Sequence, residues 1–157
     1  TLRMGPSSRA AHDALRNQGL PLPNRPKTEM PTLPDDLTSE DDKSLMGLYS
    51  LLTAWSDYVG VQLACASSDE KKAASSLDVL QAKTLSAATA SGAKVTQARA
   101  SMKSDQEITA ARNALYEMEA YRRLVESLYN ALERDTQLIS RELTRRTAHQ
   151  PRERFLT

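Results

Sequence analysis

The apolar residues of the chain form helical stripes that a break divides in two. After the acidic stretch LTSEDDKSLM, apolar residues recur at intervals of three or four, the period of an amphipathic helix with coiled-coil character. The stripe comprises Leu45, Leu48, Leu52, Trp55, Val59 and Leu63, and it resumes at Leu77, Leu80 and Leu85. This pattern predicts a helix over residues 39–90, capped by Thr38 or Ser39.

A second stripe follows the segment SDQE, in which Ser104 and Glu107 have the spacing of a capping box. It comprises Ile108, Ala111, Leu115, Met118, Val125, Leu128, Leu132, Ile139 and Leu143, and Tyr121, Leu124 and Tyr129 widen it. The stripe predicts a helix over residues 104–147. Gly92, in the intervening TASGAKVT, is the natural stop of the first helix. The predicted fold is therefore all-α, a long antiparallel two-helix hairpin that resembles a coiled coil.

The N-terminal part has a different composition. Six of the seven prolines lie between Pro6 and Pro34, and proline both fixes its own backbone and pushes the preceding residue to an extended conformation. We expect an extended arm over residues 1–37, with a short helix at 8–18 that Ser8 caps and Gly19 ends. The remaining divisions are a helical hairpin over 38–147 and a basic tail over 148–157.

The segment GLPLPNRPKTEMPTLPDD has few apolar residues with which to hold itself in place. Leu20, Leu22, Met30 and Leu33 are its sizeable ones, and burying each stabilises by about 1.5–3 kcal/mol. Ordering its eighteen residues costs about 1–2 kcal/mol each, less a discount for proline. We therefore expect other chains to hold the arm, with its own hairpin in a supporting role.

Charge and composition narrow the classes of function. The 157 residues include 21 basic and 20 acidic ones, so no net field argues for nucleic acid as a partner. The one cysteine cannot form an internal disulfide. No apolar run approaches the roughly 18 residues of a membrane span. These features predict an intracellular protein, or part of a particle assembled inside a cell, that has no membrane partner.

Candidate chemistry is sparse along the chain. The histidines, His12 and His149, lie at opposite ends, and no metal-ligand spacing is present. SGAKVT lacks the first glycine of a phosphate-binding loop, and Cys65 falls beside an apolar stripe, as a packing residue does. One acidic group could bind a cation but more simply forms a solvated helix start: Asp35, Asp36, Glu40, Asp41 and Asp42. We therefore predict no catalytic residues, no metal site and no cofactor.

Two groups of residues are candidates for binding. Trp55 continues the first stripe and has two interpretations, a core residue or an interface anchor, because tryptophan and tyrosine are common in binding hot spots. The predicted protein-interface residues are Leu20, Leu22, Met30, Leu33, Tyr49, Trp55 and Tyr58.

The second group is the arginine-rich end SRELTRRTAHQPRERF. It contains Arg141, Arg145, Arg146, Arg152 and Arg154. These arginines either complement the C-terminal end of the helix dipole and continue into a solvated tail, or they bind phosphate, which guanidinium groups fit well. Phosphate binding by these arginines is the only reason to consider nucleic acid as a partner.

The arrangement of these segments resembles a known group of proteins. The arm, LYSLLTAWSDYVGVQLA, the Gly-Lys-Val-Thr-like link and the ending LERDTQLISRELTRR resemble small helical-hairpin proteins of tailed bacteriophages, particularly those of actinobacteria. The resemblance implies a non-catalytic virion structural or assembly protein, such as a minor capsid, decoration or neck component, built into the particle in the host cytoplasm. Its partners would be other copies of itself or other phage structural proteins.

A weaker resemblance, limited to LYSLLTAW and the late arginine-rich helix, is to the phage recombination-mediator family. It implies the alternative of an oligomeric cytoplasmic protein that binds single-stranded DNA and a recombinase.

Overall fold

The described part of the chain is helical throughout its regular structure. The computed structural model describes residues 2–149, and within that range there is no strand. Its helices are α1 (Pro6–Asn17), α2 (Asp42–Ala90), α3 (Val95–Met102) and α4 (Gln106–His149). The predicted all-α class is confirmed, but α3 is an additional helix inside the segment that we expected to be a simple link. Most of the predicted tail lies outside the described residues.

Helix α1 begins earlier than its predicted start. Pro6 occupies the first turn, where proline is favoured because an N–H there has no partner within the helix. Ser8 lies inside the helix and is buried, so the prediction that Ser8 caps α1 was wrong. Gly19 does end the helix: its φ is +75°, and the N–H of Leu20 donates to the Leu15 carbonyl at 3.0 Å.

Helix α2 begins later than predicted, because the chain makes a polar turn first. The backbone N–H and the hydroxyl of Thr38 donate to the Asp36 carboxylate at 2.9 and 2.6 Å, and the Ser39 hydroxyl donates to the Asp36 carbonyl. Neither residue is then available as a cap. Asp41 caps α2 instead, and its carboxylate accepts from the Ser44 N–H at 2.7 Å.

Glycine and aspartate set the boundaries on both sides of α3. Gly92 has φ +90° and ends α2 as predicted, with the Ala93 N–H donating to the Ala88 carbonyl at 3.1 Å. The predicted Ser104 cap of α4 was wrong, because the Asp105 carboxylate accepts from the Ile108 N–H at 3.0 Å. A carboxylate competes well for this role because it also interacts favourably with the helix dipole.

Helices α2 and α4 run in opposite directions along each other. Arg146, near the end of α4, contacts Asp42 at the start of α2 at 2.8 Å. Farther along, the Tyr121 hydroxyl donates to Gln62 Oε1 at 3.3 Å. The core lies between these two contacts. It comprises Leu45, Leu52, Trp55, Tyr58, Val59, Val125, Leu132 and Ile139.

The segments before α2 pack against the two long helices, and α1 packs against α2. Leu2, Leu33 and Leu37 pack against the core cluster from outside the helices. α1 contacts α2 around Cys65, and together they enclose a cavity of about 240 Å³. A Cβ on Gly5 would lie 2.1 Å from Asp69 Oδ1, so a larger residue there would displace the Asp69 carboxylate, which accepts from the Gly5 N–H.

Candidate protein-binding site

The aromatic residues predicted for the interface lie mostly inside the chain. Trp55 and Tyr58 are only 7% and 8% exposed, and their rings pack edge to face with centroids 5.9 Å apart. Tyr49 is half-buried against the same cluster. The physical reason is that α4 and the arm both cover this part of α2. The core interpretation of Trp55 therefore fits. The assignment of these three residues to a protein interface stays a prediction, and in the single chain they are largely covered.

The apolar residues of the arm divide into two pairs. Leu33 packs against the core, and Leu22 is half-buried over the α1 cavity. Leu20 and Met30 are exposed. Only the second pair is therefore open to contact with another chain.

Polar contacts from the arm's own chain hold its first residues. The Arg3 N–H donates to Gln62 Oε1 at 3.2 Å, and the Gly5 N–H donates to Asp69 Oδ2 at 3.1 Å. The Arg3 guanidinium lies 4.5 Å from the centroid of the Tyr121 ring. Such cation–π contacts contribute roughly 0.5–1 kcal/mol at exposed sites. Helices α2 and α4 thus supply more contacts to the first residues than the sequence suggested.

One flank of α4 is an exposed apolar surface, which we call the α4 flank. Leu124 is 71% exposed, Leu128 38% and Leu138 39%. They lie three, seven and seventeen residues after half-buried Tyr121, which places all four within about 100° of one another around the helix. Large apolar residues exposed together on one side of a helix indicate a binding surface.

Sequence reasoning missed the α4 flank as a separate surface. It assigned Leu124 and Leu128 to one wide stripe, much of which two helices alone would leave exposed. The signal was present, because Val125, Leu132 and Ile139 already occupy the core face, and Leu124 is offset from them by about 60–100° around the helix.

A groove adjoins the flank between α2 and α4. It encloses about 320 Å³, and its lining includes Arg25, Trp55, Gln62, Tyr121, Val125 and Leu128. The Arg25 guanidinium lies 5.6 Å from the centroid of the Trp55 ring. Helices α2 and α4 therefore form the two walls of the groove, and Arg25 covers part of it from the segment before α2.

No protein-family model, no curated protein and no solved structure matches this chain.

Two of the five arginines predicted to bind phosphate, Arg145 and Arg146, form hydrogen bonds within the chain itself. Arg146 donates to the carboxylates of Glu142 and Asp42, both at 2.8 Å. It also donates to the carbonyls of Leu37, Thr38 and Glu40. These hydrogen bonds attach the end of α4 to the segment that precedes α2 and leave Arg146 few donors for a phosphate.

Glu142 is the centre of this cluster. Arg145 donates two hydrogen bonds to its carboxylate, at 2.8 and 2.7 Å. Arg145 and then Arg146 hold the pKa of Glu142 down to about 2. Arg141 lies on the exposed surface of α4, while Arg152 and Arg154 lie outside the described residues.

The candidate nucleophile and cation site have unremarkable surroundings. Cys65 is buried, and burial raises the pKa of its thiol, which keeps it protonated and poorly nucleophilic. Within residues 2–149 no group of three His, Cys, Asp or Glu side chains is placed to hold a metal ion, the acidic residues before α2 included. None of the helices in the same range is both long enough and apolar enough to cross a bilayer.

Proposed function

We propose that this chain is a non-catalytic structural or assembly protein of a bacteriophage particle. In this proposal α2 and α4 form an antiparallel two-helix hairpin that serves as the scaffold, with the proline-rich arm wrapped against it. Neighbouring subunits, either other copies of the chain or other structural proteins of the particle, bind to the hairpin and the arm. The virion location and the phage origin rest on the resemblance of the sequence pattern.

The observation that carries the proposal is the α4 flank. Fully burying a leucine side chain stabilises an association by about 1.5–3 kcal/mol, and Leu124 and Leu138 retain much of that potential. The core face of the same helix is already filled by α2, so the flank is not needed to complete the fold. Leu20 and Met30 add apolar area on the arm, where it can extend the contact with a neighbour.

Sedimentation velocity of the full chain over a range of concentrations tests the proposal. We expect the wild-type chain to associate as the concentration rises, and Leu124→Glu to shift that association to a much higher concentration. Asn130→Glu is the matched control, because Asn130 is also exposed on α4 but lies about 120° around the helix from Leu124. Two results would contradict binding between copies through the flank. In the first, the wild-type and Leu124→Glu chains associate identically; in the second, the wild-type chain stays monomeric at every concentration.

The alternative of single-stranded DNA binding has weaker support. Its arginines lie near the end of α4, where Arg145 and Arg146 form ion pairs with Glu142. Retention of labelled single-stranded DNA at low salt, with a strong dependence on salt concentration, would favour this alternative over the assembly role.

A further inference from the structure

We propose that the groove between α2 and α4 binds an acidic side chain of a partner protein, held by Trp55, Gln62 and Arg25. This inference rests on the proposed function, since it specifies the chemistry of the partner that the hairpin binds. The occupant is a segment that carries an Asp or Glu carboxylate beside an apolar side chain.

Two buried donors in the groove have no acceptor. Trp55 Nε1 and Gln62 Nε2 make no hydrogen bond within the described part of the chain, although their residues are only 7% and 8% exposed. Buried polar atoms are hydrogen-bonded in the large majority of cases. Both residues line the groove, and the two nitrogens are covered in the free chain, so a ligand supplies the missing acceptors by displacing the side chains that cover them.

The surrounding network determines which kind of ligand fits. Gln62 Oε1 already accepts from the Arg3 N–H and from the Tyr121 hydroxyl. These two bonds fix the orientation of the amide and leave its NH₂ group as the part without a partner. Because an indole offers only a donor, both unsatisfied groups require an acceptor from the ligand.

The charges around the groove favour a negative acceptor over a neutral one. Arg25 lies over the Trp55 ring and Arg3 over the Tyr121 ring. Among the described residues, those that line the groove include no carboxylate. Two N–H donors with guanidinium groups nearby are complementary to a carboxylate, and hydrogen bonds to a charged acceptor are the stronger kind.

The apolar part of the groove favours a protein segment over a nucleic acid or a free anion. Val125 and Leu128 lie beside the donors, and Leu124 extends the apolar surface by one further helical turn. A volume of about 320 Å³ lies at the lower end of the range for binding pockets, which suits side chains rather than a large cofactor.

Trp55 supplies a direct signal, since it is the only tryptophan in the chain. The nitrogen–proton NMR spectrum therefore contains one indole signal. The probe is a short synthetic peptide with two leucines and two glutamates, and its counterpart has glutamines in place of the glutamates. We expect the acidic peptide to move the indole proton signal downfield, and to bind about tenfold or more tightly than the glutamine peptide.

Three variants separate the groove from general charge attraction. Gln62→Glu keeps the oxygen acceptors for Arg3 and Tyr121 but replaces the donors with a carboxylate, so binding of the acidic peptide should disappear. Arg25→Ala should weaken binding about two- to fivefold, as expected for a partly exposed charge pair. Lys27→Ala removes the same charge from the same exposed segment and should leave binding unchanged.

The opposite results overturn the proposal. If the acidic peptide leaves the indole signal where it is, or if both peptides bind with equal affinity, the result contradicts the proposal. So does a Gln62→Glu variant that has unchanged circular dichroism and binds the acidic peptide as tightly as the wild type. An indole signal moved by single-stranded DNA but not by the peptide would assign the groove to nucleic acid instead. None of these outcomes alters the Leu124→Glu sedimentation result, so the groove and the proposed function can fail separately.

Discussion

Leu132 and Leu124 differ in burial although they lie on the same helix, and their truncation should therefore have very different consequences. Leu132 is 3% exposed within the core cluster and Leu124 is 71% exposed on the α4 flank. Leu132→Ala removes buried methyl groups and leaves a cavity, which costs about 2–5 kcal/mol. Leu124→Ala removes side-chain area that is mostly in water and keeps a good helix former, so its cost should stay within about 0.5 kcal/mol.

The measurement is thermal and urea unfolding followed by circular dichroism, at a concentration where the chain is monomeric. For a domain of this size about 1 kcal/mol corresponds to about 2–4 °C, so a loss of about 3 kcal/mol in Leu132→Ala lowers the melting temperature by about 6–12 °C. Leu124→Ala should shift it by about 2 °C or less. Equal losses in the two variants, or a Leu132→Ala loss below about 1 kcal/mol, would refute the division of α4 into a buried face and an exposed flank.

Three further predictions concern the ends of the long helices. The pKa of Glu142 falls from 4.5 to about 2 on folding, so its contribution to stability is present above pH 4.5 and is lost as the pH falls towards 2. Glu142→Gln should therefore reduce the pH dependence of the free energy of urea unfolding over that interval. An unchanged pH dependence would count against the ion pairs. Asp105→Ala should cost about 0.5–2 kcal/mol in urea unfolding whereas Ser104→Ala costs little, and the reverse order would restore the serine cap. Arg146→Ala should speed limited proteolysis between residues 18 and 41 whereas Arg141→Ala should not, and identical digestion of both variants would show that Arg146 does not hold this segment.

The helical periods could be predicted because they depend on local spacing. The apolar stripes located α2 and α4, and Gly92 located the end of α2, because only glycine adopts that backbone conformation without strain. The helix starts were less predictable. Several residues near each start can accept a hydrogen bond from the same N–H of the first helical turn. Before α2, Thr38 is held in a turn by Asp36, so Asp41 becomes the cap.

The binding surfaces were less predictable because they depend on which faces pair in three dimensions. The sequence shows that α4 has more apolar residues than one stripe needs, but not that Leu124 lies outside the core. The groove brings Arg25, Gln62 and Tyr121 together from three separate segments, and no spacing along the chain encodes that proximity. Similarly, Arg146 donates hydrogen bonds to carbonyls more than a hundred residues earlier in the chain, a proximity that the sequence does not reveal.

The most direct measurement of the central claim is site-specific photo-crosslinking of the full chain in cells that assemble the particle. A photoreactive benzoylphenylalanine replaces Leu124 in one sample and Asn130 in the control, and mass spectrometry identifies the crosslinked peptides. The account predicts that the position of Leu124 crosslinks to a structural protein of the particle or to a second copy of this chain, and that the position of Asn130 does not. Equal crosslinking from both positions, or none from the position of Leu124, would contradict a subunit-binding role for the α4 flank.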